Sequence, residues 1–309
     1  SVTTLEVTNI SPTNVRFNGA VNANYLSTTV SFEYGTTTNY GQTVFASQNP
    51  VTGNSTVSVS AEITGLTGNT VYYVRIYATN SVGTVYGNEI SFRTPFSSCG
   101  ILTDVDGNTY NTVIIGTQCW MTENLKTTKY NDDSNISNIT ENTIWSTLTS
   151  DAYSLYENNN SYREPYGVLY NWYAVNTKKL CPVGWHVPDD NEWKILEMYL
   201  GMTQNKDDAE YLRGTDEGAK LKEVGNAHWL FSDLRYPATN ISGFSALPGG
   251  WRGDNGEFTS LNEECIFWTS DVTISWNRIV RILGYGYSGI VRITSMTSRS
   301  GLSVRCLKD

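Results

Sequence analysis

The side chains able to do chemistry in this 309-residue chain are five cysteines, two histidines and carboxylates that outnumber the cations, 30 to 21. No two cysteines stand in a C-x-x-C arrangement, which argues against zinc ribbons and thioredoxin-type redox chemistry. His186 and His228 are the only histidines and lie far apart, so a multi-histidine zinc site is excluded. A Ser-His-Asp order has little to draw on, and no spacing of carboxylates singles out two as acid and base. Disulfides in an oxidising compartment suit the cysteines better. Cys99 and Cys119 bracket an expected hairpin, Thr103 to Ile115, turning at Asp106-Gly107. Pairing about that turn would bring the two thiols together near its open end. Cys181 and Cys306 are the second expected pair, closing a loop of roughly 125 residues and adding a few kcal/mol. Cys265 is then odd and reads as a buried thiol.

Length allows two domains, and the composition, 39% apolar and 17% charged, is that of a globular chain. Thr, Ser, Asn, Gly and Tyr favour strands and ordered loops over long helices. All nine Trp and all five Cys fall after residue 98. The first 95 residues hold three Arg against four Glu, a net of −1, which leaves −8 of the total −9 to the remainder. So acidic a chain is a poor partner for nucleic acid or anionic membrane, since phosphate binding needs clustered cations. No apolar run is long enough to span a bilayer. Without an initiator Met or signal peptide, Ser1 reads as the start of a processed or cut product.

These residues must be positioned by two kinds of element. Residues 1–95 read as all-β: Val15-Arg-Phe17 and Val30-Ser-Phe-Glu-Tyr34 alternate apolar and polar, as strands with one buried face do. Thr94-Pro-Phe-Ser-Ser98 is a short linker. Beyond it, Tyr166 to Asn176 is expected to form one helix with Leu169, Trp172 and Tyr173 on one face. Asp189 is placed to cap a second helix, with Glu192 completing a capping box and Gly201 ending it; Trp193, Leu196 and Leu200 form its buried stripe. Gly218 to Glu223 adds a short helical turn, and the chain from Phe231 onward reads as irregular loops and short strands.

Leu66, Thr70 and Tyr72 resemble the tyrosine corner of fibronectin type III domains, although the usual proline of that corner is replaced by Gly68. Residues 99–309 resemble the Fibrobacter succinogenes major paralogous domain. The resemblance rests on Asp106-Gly-Asn-Thr-Tyr110, Ile115-Gly-Thr-Gln-Cys-Trp-Met-Thr-Glu-Asn-Leu125 and Tyr166-Gly-Val-Leu-Tyr-Asn-Trp-Tyr-Ala174. It continues through Cys181-Pro-Val-Gly-Trp-His-Val-Pro-Asp-Asp-Asn-Glu-Trp193, Gly243-Phe-Ser-Ala-Leu-Pro-Gly-Gly-Trp251, Trp268-Thr-Ser270, Trp276-Asn-Arg278 and Ser303-Val-Arg-Cys306. It implies an α+β, C-type-lectin-like fold with long irregular loops, preceded by an all-β fibronectin-III-like sandwich acting as a rigid arm.

The same resemblance implies ligand binding on the long loops before the final strands, from about Trp229 to Tyr287. Rings beside amides and carboxylates are what a sugar-binding surface needs. Tyr285, Tyr287, Asp254, Asn255 and Glu257 are the first candidates there, with Trp251 and Trp276 behind them because, like Trp268, they are landmark positions suited to a core. Arg252-Gly-Asp254 reads as a chance tripeptide. Asp104-Val-Asp-Gly-Asn108 imitates the start of an EF-hand loop but lacks its closing Glu and reads as a hairpin turn. Glu263, Glu264 and Asp271 could converge, yet the Glu-Pro-Asn and Trp-Asn-Asp triplets of calcium-dependent lectins are missing, so no cofactor is expected and calcium is left open without support. The expected role is non-catalytic adhesion or capture of a glycan or protein ligand at the extracellular or outer-membrane surface. A structural pilus-tip or envelope subunit is the second reading. An enzyme related to the formylglycine-generating group is the third, and would need Cys265 in a cleft.

Overall fold

The computed structural model describes residues 1–204, 208–230, 236–272 and 278–309. The chain divides into two compact units, Ser1–Ser97 and Ser98–Asp309, and strands dominate both.

In the first unit, β1 (Val2–Thr8), β2 (Val15–Val21) and β5 (Val57–Ile63) form one antiparallel sheet. The second sheet holds β3 (Thr29–Gly35), β4 (Gln42–Phe45), β6 (Val71–Asn80), β7 (Gly83–Tyr86) and β8 (Ile90–Arg93). Alternation does the work here: Val15, Phe17 and Val21 from one sheet meet Phe32, Val74 and Ile76 from the other in one buried cluster. At the turn into β6 the Thr67 N–H donates to the phenol oxygen of Tyr72, 3.0 Å away, fixing the corner that Tyr72 buries.

The second unit opens with two successive hairpins. β9 (Leu102–Thr103) pairs with β10 (Thr109–Tyr110) about the Asp106 turn, and β11 (Thr112–Ile115) pairs with β12 (Gln118–Met121). Cys99 is bridged to Cys119, but Cys119 stands opposite Ile114 on the second hairpin. Cys99 reaches it beside Thr112, whose hydroxyl accepts the Cys99 N–H at 3.1 Å. The bridge therefore ties the lead-in segment to β12 and does not close the mouth of the first hairpin. Both oxygens of Asp104 are occupied, by the Asn108 N–H and amide and by the Tyr110 hydroxyl, so this loop is held by its own donors.

Two short helices follow, α1 (Asn142–Trp145) and α2 (Arg163–Tyr166). Small strands β13 (Tyr153–Ser154) and β14 (Leu169–Tyr170) pair with each other, and α3 spans Trp172–Asn176. The helix expected over Tyr166 to Asn176 is thus broken. Gly167 adopts φ 80°, which ends α2. Tyr170 exchanges backbone bonds with Leu302, and Asn171 caps a new helix by accepting from the Ala174 N–H. A tertiary partner outcompetes local helical pattern.

β15 (Trp185–His186) precedes α4 (Asp190–Tyr199), which carries the full Asp189/Glu192 capping box and buries Trp193, Leu196 and Leu200. After β16 (Tyr211–Arg213) comes α5 (Glu217–Leu221). The C-terminal third holds β17 (Gly249–Arg252), β18 (Phe258–Leu261), β19 (Glu264–Val272), β20 (Arg278–Gly284), β21 (Ile290–Met296) and β22 (Leu307–Lys308). The short strands expected here are present, but three of them are longer than expected and they join β16 in one six-stranded sheet, order β16-β21-β20-β19-β17-β18. β19 is buried on both faces, with Cys265 and Phe267 in one cluster and Ile266 and Trp268 in another. The first cluster packs Trp120, Trp193, Phe244 and Phe267 ring against ring, with centroids 5.0–5.8 Å apart. Cys181 and Cys306 are bridged, with Cα atoms 5.9 Å apart.

Candidate ligand-binding face

The sheet separates the residues singled out in the sequence. β19 runs parallel to β17, with Gly250 level with Cys265, and antiparallel to β20, with Glu264 level with Gly284. The β17–β18 turn therefore leaves one end of the sheet and the β20–β21 turn the other. At about 3.3 Å per residue the two turns are on the order of 15 Å apart along the strands. Asp254, Asn255 and Glu257 lie at the first end, and Tyr285 and Tyr287 at the second. They form no common site. Glu263 and Glu264 are parted from Asp271 in the same way, because Asp271 lies at the far end of β19, accepting the Asp190 N–H at 2.7 Å.

At the first end, the turn is built around Arg252, which has no solvent exposure. Its guanidinium donates to the carbonyls of Gly256, Ile139 and Thr140 and to Asn142 Oδ1, and it stacks on Trp145 and Phe258. An arginine so held cannot be presented to a receptor, which disposes of the Arg-Gly-Asp tripeptide. Glu257 accepts from Asn142, and Asn255 accepts the Glu257 N–H. Trp251 is half-buried against the core and Trp268 fully buried; Trp276 lies outside the described residues.

The other end of the sheet has a concave surface. A groove of about 290 Å3 is lined by Asn226, Ala227, His228, Trp229, Leu230 and Asn262. The Leu230 N–H donates to Asn262 O at 2.6 Å, which seats this loop on the β18–β19 turn. The Tyr166 hydroxyl donates to Asn262 Oδ1 at 2.7 Å, and Glu223 holds His228 Nδ1 at 2.8 Å. Rings continue away from the groove as Tyr166, Tyr162 and Tyr156, with neighbouring centroids 6.2 and 5.5 Å apart, while His228 stands edge-on to Tyr166 at 5.7 Å. Tyr285 is 39% exposed and joins this end through its N–H, which donates to Glu263 O. Tyr287 is half-buried against Gly284, and burial raises its phenol pKa.

Lys222 fixes the β20–β21 turn from beneath. Its ammonium donates to Gly284 O at 2.8 Å and Tyr287 O at 2.7 Å and lies 5.5 Å from the Trp229 ring. Burial pushes this ammonium down to about 8 from an ordinary 10.5. Between those two values the folded protein holds a neutral amine while the unfolded chain still holds an ammonium, so stability rises with pH in that window. Relative to Lys222→Met, the protein should gain up to about 3 kcal/mol between pH 8 and 10.5, from about 1.4 kcal/mol per pKa unit. Denaturant unfolding of both proteins at pH 7.5 and 10 measures the difference, in which the tyrosine titrations cancel.

Sequence reasoning missed Tyr156, Tyr162, Glu223, His228 and Asn262. A signal was present in the density of tyrosines from Tyr153 to Tyr173. It also missed a buried ionic network between α4 and the Phe267 face of the sheet. Glu197 Oε1 meets Arg281 Nε at 2.6 Å and Arg213 Nη2 at 2.8 Å, and Arg292 pairs both its Nε and Nη2 with Asp190. Burial would raise the Asp190 carboxyl, but Arg292, Arg281 and Lys194 hold it well below the usual range. The charged residues of this network belong to scaffolding: Asp190, Lys194 and Glu197 recur along α4 and face strands β16, β20 and β21.

The remaining reactive groups are buried or held by partners. Cys265 has no exposure, and burial pushes its thiol up to about 12, the reverse of an activated cysteine. His186 is bound by Asp309 at Nδ1 (2.6 Å) and by Glu192 at Nε2 (2.8 Å). Among the described residues no three His, Cys, Asp or Glu side chains converge as metal ligands, and no helix is long and apolar enough to cross a membrane. Two disulfides fit an extracellular protein.

Comparison with known proteins gives one strong result and several faint ones. No curated protein matches the chain. Among solved structures, the sensor domain of the anti-sigma factor RsgI4 from Pseudobacteroides cellulosolvens is 18% identical over 31% of this chain and 93% of that one, with a TM-score of 0.26. A longer form of it covers 34% of this chain and 98% of its own, at 18% identity and TM-score 0.27. A structure described as a myokine is 16% identical over 30% of this chain and 96% of that one, with a TM-score of 0.22. The model of the Fibrobacter succinogenes major domain matches residues 113–308, nearly the whole second unit and more than half of the chain. With Trp120, Trp193, Phe244 and Arg252 all placed in the interior of that unit, the chain belongs to the Fibrobacter succinogenes major domain family.

Proposed function

We propose that this chain is an extracellular recognition module without chemistry of its own, in which a C-type-lectin-like second unit is carried by a fibronectin-III-like arm. Its ligand is a glycan, bound in the groove between Asn226–Leu230 and Asn262. The observation that carries this reading is that groove's chemistry. Asn262 is fixed by Tyr166 and His228 by Glu223, so the polar groups are preorganised, while Trp229 and the tyrosine rings offer apolar faces. Hydroxyls need amide and imidazole partners, and sugar C–H faces need rings; the groove supplies both.

A glycan array probed with the full chain tests the reading. Binding to at least one saccharide class is expected, unchanged by EDTA, because both Asp104 oxygens and Asp106 Oδ2 are taken by protein donors and no three carboxylate, His or Cys side chains converge as metal ligands among the described residues. Asn262→Ala should reduce binding at least tenfold, whereas Glu257→Ala at the opposite end should leave it intact. An array without hits, or equal effects of the two variants, would overturn the proposal.

A further inference from the structure

Which saccharide the groove takes is addressed by the charges around it. Glu223 lies against His228 and its charge acts on Tyr166. Glu157 and Glu263 both act on Tyr156. Glu264, at the start of β19, is raised by burial and then by the neighbouring Glu263, and its own charge acts on Tyr287. Carboxylates thus stand around an aromatic wall and a groove lined by two amides. Lys222, packed beneath Trp229, is spent on two carbonyls and offers no charge to a ligand.

Rings flanked by carboxylates attract cations twice over, through the ring quadrupole and through the ordinary Coulomb term. Acidic saccharides meet repulsion at the same place. The short groove with Asn226 and Asn262 suits a sugar ring with its hydroxyls better than an extended peptide, whose length would need a longer channel. We infer, resting on the glycan reading above, that the groove selects saccharides bearing free amino groups: a de-N-acetylated hexosamine polymer, its ammonium set among Glu223, Glu263 and the tyrosine rings.

Isothermal titration of the full chain with tetraglucosamine, tetra-N-acetylglucosamine and a lysine-rich decapeptide decides the matter. Tetraglucosamine should bind at least tenfold tighter than its acetylated counterpart, and the advantage should shrink as salt rises from 50 to 500 mM, flags of an ionic contribution on the order expected from screening. Glu263→Gln should erase most of that advantage; since Glu263 makes no ion pair among the described residues, this variant is expected to fold, and Glu223→Gln gives an independent check. Equal or tighter binding of the acetylated sugar overturns the charge inference and leaves the glycan reading standing. Binding of the decapeptide alone overturns both the inference and the saccharide class.

Discussion

Glu197→Ala should lower the stability of the second unit by about 3–5 kcal/mol, the cost of leaving buried charge without its partner. Glu197, Arg213 and Arg281 are almost wholly buried, with side-chain exposures of 0%, 1% and 0%. One carboxylate oxygen accepts from both guanidiniums, so its removal strips Arg213 and Arg281 of the same acceptor at once. Arg281 keeps Asp190 at 2.8 Å, which holds the loss below that of two isolated charges. Glu197→Gln retains the shape and an acceptor and should cost less. The apolar triple variant Arg213→Met/Glu197→Leu/Arg281→Met should lie nearer to the parent than Glu197→Ala does, since desolvation of the charges is then avoided altogether. Tryptophan fluorescence in denaturant reads this transition cleanly: all nine Trp follow residue 98, so the first unit is silent. A loss under 1 kcal/mol in Glu197→Ala would show that the network contributes no net charge pairing.

The contrast between what was legible in the sequence and what was not follows the range of the interactions. The capping box of α4 was readable because Asp189 and Glu192 satisfy each other three residues apart. The Asp106 turn was readable because Gly107 supplies the φ of 84° locally. The strand at Leu169–Tyr170 that splits the expected helix was not, because it is held by Leu302, far along the chain, which pairs with Tyr170. The six-stranded sheet escaped notice for a different reason. With both faces covered, Cys265-Ile-Phe-Trp268 shows no alternation, and an apolar run of that length carries no period. The candidate site suffered most. Asp254 and Tyr285 are 31 residues apart and looked like neighbours on one set of loops. A parallel pairing of β17 with β19 sends their turns to opposite ends, and no local pattern encodes that pairing. Arg281, within Ile279-Val-Arg-Ile-Leu283, was a missed signal: a lone cation in an apolar strand implies a buried counter-charge.

Removing the Cys181–Cys306 bridge should be the most damaging change to the scaffold. In the chain-entropy account, a closed loop of 125 residues restrains the unfolded chain by about 5 kcal/mol, whereas the 20-residue loop of Cys99–Cys119 is worth about 3. The structure adds a reason for the ranking to hold. Cys306 sits in the central cluster with Cys181, its carbonyl accepts the Met121 N–H at 3.2 Å, and it leads directly into β22. β22 is the strand that joins β12 to β15, so loosening it would release the fold's closing seam. The double variant Cys181→Ser/Cys306→Ser should therefore unfold at markedly lower denaturant than Cys99→Ser/Cys119→Ser, both followed by tryptophan fluorescence. Reductant should open the half-buried Cys99–Cys119 bridge of the parent first, with little loss of fluorescence until the buried Cys181–Cys306 bridge follows. If the two double variants unfold in the reverse order, β22 is held by its packing and the long bridge is dispensable.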